Sequence, residues 1–315
     1  MPDGGRPEIK VGVTARGWGA DGAHNPAQAL DAGRRAEAAG LDGVHTGDHV
    51  TFYGKGTDGL LTLASIAAVT ERIELKTSVY LLPLRHPSPV ALQCAQLDQL
   101  SGGRLVFGVG VGGEDPNEFE ACGVDVHTRG ARTNEAMQIL KLLWSQDHVS
   151  FAGEHYQLDN VSMEPKPFRP IPIHIGGRSE AALKRAGRLA DGYTGIWQSH
   201  DRFRNAGATI AEAATEAGRD PATVELGLQV WTSVDANHDA ARARVASVME
   251  TVYQIPFDRF ERYTPHGSAQ EIAEHLAPYI ELGARHFSLI PVQSSLPETI
   301  ERAAEVRDAL LALNA

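Results

Sequence analysis

The 315-residue chain is short of several things, and each shortage removes a class of protein. It has two cysteines, Cys94 and Cys122, with no CxxC spacing and no His/Cys cluster beside either. That excludes a disulfide framework and a zinc ribbon, and reads as a reduced, cytoplasmic protein. Long apolar runs are missing: Leu60 to Val69 is interrupted by Thr62 and Ser65 and is too short to span a bilayer. The first residues lack the basic start and apolar stretch of a secretory leader, so none is expected. Basic residues are outnumbered 29 to 40, a net charge of −11, which argues against nucleic acid or an anionic membrane as partner. Among 13 histidines there is neither HxH nor HExxH, so no metal site is expected. His49 with His86 and His174 is the weaker metal reading, and supporting polar roles suit the latter two better.

Glycine, by contrast, is abundant at 32, and a strand-then-helix unit recurs. Short β-branched runs begin near residues 9, 41, 73 and 104, a repeat of about 32 residues, as βα units of equal size would give. Asn25, Asp58, Ser88 and Ser179 stand where helix caps belong, and Ser268 with Glu271 forms a capping box. Further strands fall at 171–175, 192–196, 224–234 and 285–290, and the last helix at 297–313. Eight strands alternating with helices, without a break in composition, predict an α/β (βα)8 TIM barrel as one domain over residues 1–315. Insertions are expected after strand 4, at about 146–170 with a small hairpin, and between strands 7 and 8, at about 255–283. Such excursions build substrate walls, or serve as surface elaboration or a dimer contact.

In this fold the chemistry sits just beyond the C-terminal ends of the strands. Asp48-His49 follows strand 2 and is a candidate acid/base pair; a solvent-facing turn histidine is the plainer reading. The Gly108 to Glu114 loop follows strand 4. Gly108, Gly110 and Gly113 match GxGxxG, but no helix is expected to open on the third glycine, so a Rossmann site is rejected. Gly176-Gly177-Arg178-Ser179 leaves strand 5 and opens a helix, where free amides and local positive charge favour a phosphate; a plain cap with surface arginines is the alternative.

Taken in order, these pieces resemble the bacterial-luciferase-like oxidoreductases, which bind FMN or the deazaflavin coenzyme F420. The matching segments are Ala36 to Val44 leading to Asp48-His49, Leu81 to Pro87, Leu97 to Leu105, the Gly108 to Glu114 loop, and Pro172 to Ser179 running on to Gly192. The resemblance implies a ring held across the barrel mouth on a bulge with a non-prolyl cis peptide, here at Ser78-Val79. It implies Gly110 and Gly112 beside the ring, and Gly176, Gly177, Arg178 and Ser179 at a phosphate. His49 and Glu114 fall where F420-dependent members place a catalytic histidine and acid, with Asp48 directly before the histidine. The F420 branch is the nearer one. The sugar-phosphate dehydrogenases of that branch carry a tryptophan four residues after the histidine, where this chain has Tyr53. Their phosphate-binding lysines are also missing, since only Lys184 follows Lys166. A small alcohol, ketone or activated alkene is therefore the expected substrate. Two alternatives remain: an FMN-dependent monooxygenase fed by a separate flavin reductase, and a non-catalytic flavin-binding protein. A homodimer or higher homo-oligomer is expected, with a separate F420 or flavin reductase as a further partner.

Overall fold

A computed structural model describes residues 8–15 and 26–314. Asn25, expected to cap the first helix, lies outside them. The eight barrel strands are β1 Lys10–Thr14, β2 Gly43–Thr46, β3 Glu74–Thr77, β4 Leu105–Gly110, β5 Ile173–Gly176, β6 Gly192–Ile196, β7 Glu225–Val234 and β8 Ala284–Pro291. Each pairs in parallel with its neighbours in chain order. Parallel pairs of β1 with β8 and of β4 with β5 close the sheet. The expected barrel is the observed fold.

Helices return the chain between strands: α1 Pro26–Ala38, α2 Gly59–Ala67, α3 Pro87–Ser101, α4 Pro116–Ala121, α5 Arg129–Ser145, α6 Glu180–Leu189, α7 His200–Glu216, α8 His238–Tyr253, α9 Ala269–Glu281 and α10 Leu296–Leu313. Asp58 accepts the Leu61 N–H at 2.8 Å, Ser179 caps α6, and the Ser268–Glu271 capping box is complete. α3 starts two residues before the expected Pro89. Pro87 takes the first helical position, which holds His86 extended, and His86 Nδ1 rather than Ser88 caps the helix. The antiparallel strands Val149–Ala152 and Gln157–Val161 form the expected hairpin. Between β7 and β8 the excursion is larger than expected, because α8 precedes the aromatic loop. Neither α7 nor α8 was marked in the sequence. Their alanine-rich faces bury Ala206, Ala213, Ala214, Ala241 and Ala246, which give little hydrophobic contrast to read.

Strand residues alternate between two environments. Val11, Val13, Val44, Leu75, Phe107, Val109, Ile173, Ile175, Phe287 and Leu289 are buried in one apolar cluster with Ala32, Leu63, Ile66, Ala91, Leu140 and Ala186 of the helices. The alternate residues face the lumen, and through its middle many are polar or glycine instead of the branched aliphatics that commonly fill such barrels. His45, Lys76, His174, Thr194, His286 and Ser288 are all buried there. Glycines on adjoining strands make room for the rings. A Cβ on Gly12 would lie 2.5 Å from the His45 ring, one on Gly192 2.6 Å from His174, and one on Gly227 2.0 Å from His286.

Candidate active site

At the C-terminal end of β2, Asp48 is a junction. Its carboxylate pairs with both terminal nitrogens of Arg85 and accepts the N–H groups of Gly59 at 3.2 Å and Leu81 at 3.1 Å. Arg85 in turn lies over the Tyr80 ring, 4.5 Å from its centroid. With both oxygens engaged this way, Asp48 fixes the ends of β2 and β3 relative to α2. His49 turns elsewhere. It starts an antiparallel hairpin, His49–Phe52 with Lys55–Thr57, that the sequence did not announce. Its ring stacks on Phe52 at 4.3 Å, and Nδ1 lies 3.1 Å from Glu118 Oε2.

Glu118 comes from α4, a helix the sequence reading did not include. Asp115 caps this helix and also accepts the Tyr53 N–H at 2.9 Å. Glu118 is 1% exposed, and its Oε1 accepts the N–H groups of Val50 at 2.8 Å and Thr51 at 3.2 Å. Burial opposes its charge, but the His49 ring and these two amides together hold the carboxyl below its ordinary value. A carboxylate only accepts hydrogen bonds, so His49 Nδ1 carries hydrogen and Nε2 is left for a ligand. Glu114 stands on the same segment, four residues nearer β4 than Glu118, and its side chain is exposed. A local signal for Glu118 exists: Asp115-Pro116-Asn117-Glu118 has an N-cap, proline at the first helical position and an acid at the third.

The Ser78–Val79 bond that follows β3 is a non-prolyl cis peptide. Val79 fits between two glycines: a Cβ on Gly110 would lie 2.3 Å from one Val79 methyl, and a Cβ on Gly176 2.6 Å from the other. Gly108 serves the same turn, because a Cβ there would lie 1.9 Å from Thr77 O. Gln229, from β7, donates to Ser78 O at 3.3 Å, while the Ser78 hydroxyl is buried without a partner among the described residues. Gly112 takes a left-handed φ of 63° beside Leu81 and Phe119. The first two glycines of the GxGxxG match thus shape the bulge, and α4 opens only at Pro116.

Across the bulge, Gly176 leads to Gly177, whose φ of 131° is a conformation suited to glycine. Tyr193 donates to Gly177 O at 2.8 Å, and Gln198 donates to Tyr193 Oη at 2.7 Å. This bracing fixes the start of α6, where Ser179 accepts the Ala182 N–H at 3.2 Å and first-turn amides face outward. Arg178 is exposed and lies over the Trp197 ring at 4.9 Å. Trp197 packs on Tyr253 and Phe260 from the β7–β8 excursion.

One mouth therefore collects the His49–Glu118 pair, the cis bulge and an anion-favouring helix start. Val79 touches the glycine that precedes the helix start, and the Ser78 N–H donates to Thr46 O at 2.6 Å beside Asp48. His86 and His174 are elsewhere, at the α3 cap and inside the lumen. An unpartnered Ser78 hydroxyl, a cradle that side chains would fill, and free helix amides together fit a ring carrying a phosphate tail.

Comparison with known proteins shows the family and the fold. The chain is 28% identical over 285 residues to an F420-dependent glucose-6-phosphate dehydrogenase of Amycolatopsis mediterranei, covering 80% of this chain and 84% of the relative. It is 37% identical over 230 residues to the protein of that name from Kineococcus radiotolerans, covering 69% and 66%. The fold is similar to that of an F420-dependent secondary alcohol dehydrogenase solved with an F420–acetone adduct, with a TM-score of 0.85 at 24% identity over 96% of this chain and 99% of that one. The family model for luciferase-like monooxygenases matches residues 8–282, so the chain belongs to the luciferase-like family.

Proposed function

We propose that this protein is an F420-dependent oxidoreductase that transfers hydride between the deazaflavin and a small alcohol, ketone or activated alkene. The observation that carries the reading is the Val79 bulge seated in Gly110 and Gly176, with the His49–Glu118 pair on one side and the α6 start on the other. Relatives named as F420-dependent dehydrogenases support the choice of cofactor. Ser78 and Val79, with Gly110 and Gly112, would carry the ring, and Gly176, Gly177, Arg178 and Ser179 its phosphate. When bound, the deazaflavin supplies a carbon centre that gives or takes hydride. The protein manages the proton. With Nδ1–H held by Glu118, neutral His49 accepts a proton at Nε2 from a substrate hydroxyl, and protonated His49 returns one to a forming alkoxide. Asp48 acts through Arg85 and the Leu81 amide, keeping the histidine turn and the bulge in register. Glu114 is the second carboxylate candidate.

Glucose 6-phosphate, the substrate for which those relatives are named, suits this chain poorly. Lys184 pairs with Glu180 at 2.6 Å on the surface of α6, and Lys166 with Asp147 at 3.0 Å, so neither lysine after residue 150 is offered to a substrate phosphate. On this reading residues 1–315 act as one domain, in a homo-oligomer that light scattering would size.

Titration with F420 and with FMN, each in both redox states and with oxygen uptake recorded, is the test. Tight F420 binding without oxygen consumption is expected; oxygen consumption with reduced FMN would replace this reading by a monooxygenase fed by a reductase. His49→Ala should retain F420 binding and lose turnover by ~10²–10⁴-fold. Near-normal turnover would remove His49 from the chemistry.

A further inference from the structure

The lumen below the mouth holds ionisable groups that the proposed chemistry does not use. Lys76 is 1% exposed, and its Nζ donates to His174 Nδ1 at 3.1 Å and to Thr194 Oγ1 at 3.2 Å. Thr194 Oγ1 is 3.0 Å from His286 Nε2, and His286 Nδ1 is 2.9 Å from Glu225 Oε1. The directions of these bonds follow from their ends. The Glu225 carboxylate accepts, so His286 carries hydrogen on Nδ1 and accepts at Nε2 from the Thr194 hydroxyl. The Thr194 oxygen is then free to accept from Lys76. Both arms reach a cavity of about 620 Å³ at the N-terminal face, lined by His174 and Glu225 together with Lys10, Glu74 and Arg285.

We propose that Lys76, Thr194, His286 and Glu225, with His174 as a second arm, form a proton relay connecting the buried Lys76 amine to solvent at the N-terminal face of the barrel. In the long arm, an ammonium proton passes to Thr194 Oγ1 as the threonine's own proton passes to His286 Nε2 and the Nδ1 proton to Glu225. The ammonium becomes an amine and the carboxylate a carboxylic acid, and His286 is left with its hydrogen on Nε2 until Glu225 releases its proton to the cavity and the ring and hydroxyl hydrogens return to their first positions. In the short arm the proton enters His174 at Nδ1 while the Nε2 proton leaves to the cavity. The charges around Lys76 are Lys10 on β1, Glu74 on β3 and Glu225 on β7, and its imidazole neighbours are His45, His174 and His286. Burial pushes the Lys76 amine down to about 8 while Glu74 and Glu225 oppose the shift, so its charge changes in an accessible range. Lys76 stands in β3, two residues before Ser78 of the bulge. If the proposed cofactor reading holds, the relay lets the charge beneath the ring change while the mouth stays closed.

The relay can be tested without any ligand, so its failure would leave the cofactor reading standing. The chain has six lysines, and protein labelled with ¹³C at lysine Cε gives a spectrum simple enough to follow Lys76 across a pH titration. Rapid proton exchange gives a single Lys76 resonance that moves with pH. Thr194→Val combined with His174→Phe closes both arms and should give two fixed resonances that trade intensity. Ser288→Ala removes only the hydrogen bond to His45 and should keep the single moving resonance. Two resonances in the unsubstituted protein, absence of titration, or one moving resonance in the double variant would each overturn the relay. Should the double variant not fold, the line shape of the unsubstituted protein still decides.

Discussion

Glu118 meets three needs with one carboxylate: it holds hydrogen on His49 Nδ1 and satisfies the amides of Val50 and Thr51. The substitutions Glu118→Gln and Glu118→Ala separate these roles. The amide oxygen of glutamine still accepts from the backbone, so Glu118→Gln should keep the hairpin protease-resistant and lose ~10²-fold or more in kcat with little change in KM. Glu118→Ala should lose kcat and also expose residues 49–57 to limited proteolysis. Glu114→Gln decides whether the exposed carboxylate takes part as well; a loss in kcat equal to that of Glu118→Gln would put both in the chemistry. Sequence reasoning reached this neighbourhood because strand ends are where barrel chemistry sits. It selected Glu114 because which acid turns inward depends on a six-residue helix meeting a hairpin from some 65 positions earlier. Glycines at the mouth behave similarly. Gly108→Ala would drive a methyl into Thr77 O and should cost about 4 kcal/mol or prevent folding, measurable by denaturant unfolding. Gly40→Ala, in open space at a φ of 78°, should cost only about 1 kcal/mol.

Polar groups join several elements at the mouth. Asp48 binds the start of α2, the segment after the bulge and Arg85, and its side chain is wholly buried. Asp48→Asn leaves the guanidinium without its charge partner, so a loss of about 3–5 kcal/mol is expected by chemical denaturation. Strands and capped helices were legible where local signals agree, as at Asp58, Ser179 and Ser268. α7 and α8 escaped because alanine faces pack tightly yet look indistinct in sequence. The hairpin at 49–57 escaped because Asp115 and Glu118 hold its backbone, and partners distant in sequence leave no mark on the segment itself.

The molecule as a whole was legible as a barrel because equal βα spacing leaves few other arrangements. Its polar lumen was not, since alternating histidine and glycine on parallel strands looks like loop composition until the register is known. The lumen also sets how stability responds to pH. Burial above all pushes His45, His174 and His286 well below the ordinary histidine value, with the Lys76 charge acting the same way. The unfolded chain therefore binds more protons than the folded one as pH falls below about 6.5, and stability declines in that direction. The slope should reach up to about 4 kcal/mol per pH unit if all three rings stay neutral in the fold. Lys76 acts with the same sign between about 8 and its unfolded value of 10.5, so stability should rise again there. Thermal unfolding followed from pH 5 to pH 9 checks both, and a flat profile below pH 6.5 would mean the rings accept protons without unfolding.

The match of each lumen imidazole to a glycine on the next strand constrains how this chain can vary. Gly227 cannot gain a side chain while His286 is present, and the space that glycine leaves is useless without the ring. Such partners are epistatic: Gly227→Ala should be severe alone and milder beside His286→Ala, with a coupling of about 1–3 kcal/mol in a double-mutant cycle. Libraries that vary one position at a time would record the lumen as immutable, whereas paired changes should open it to redesign.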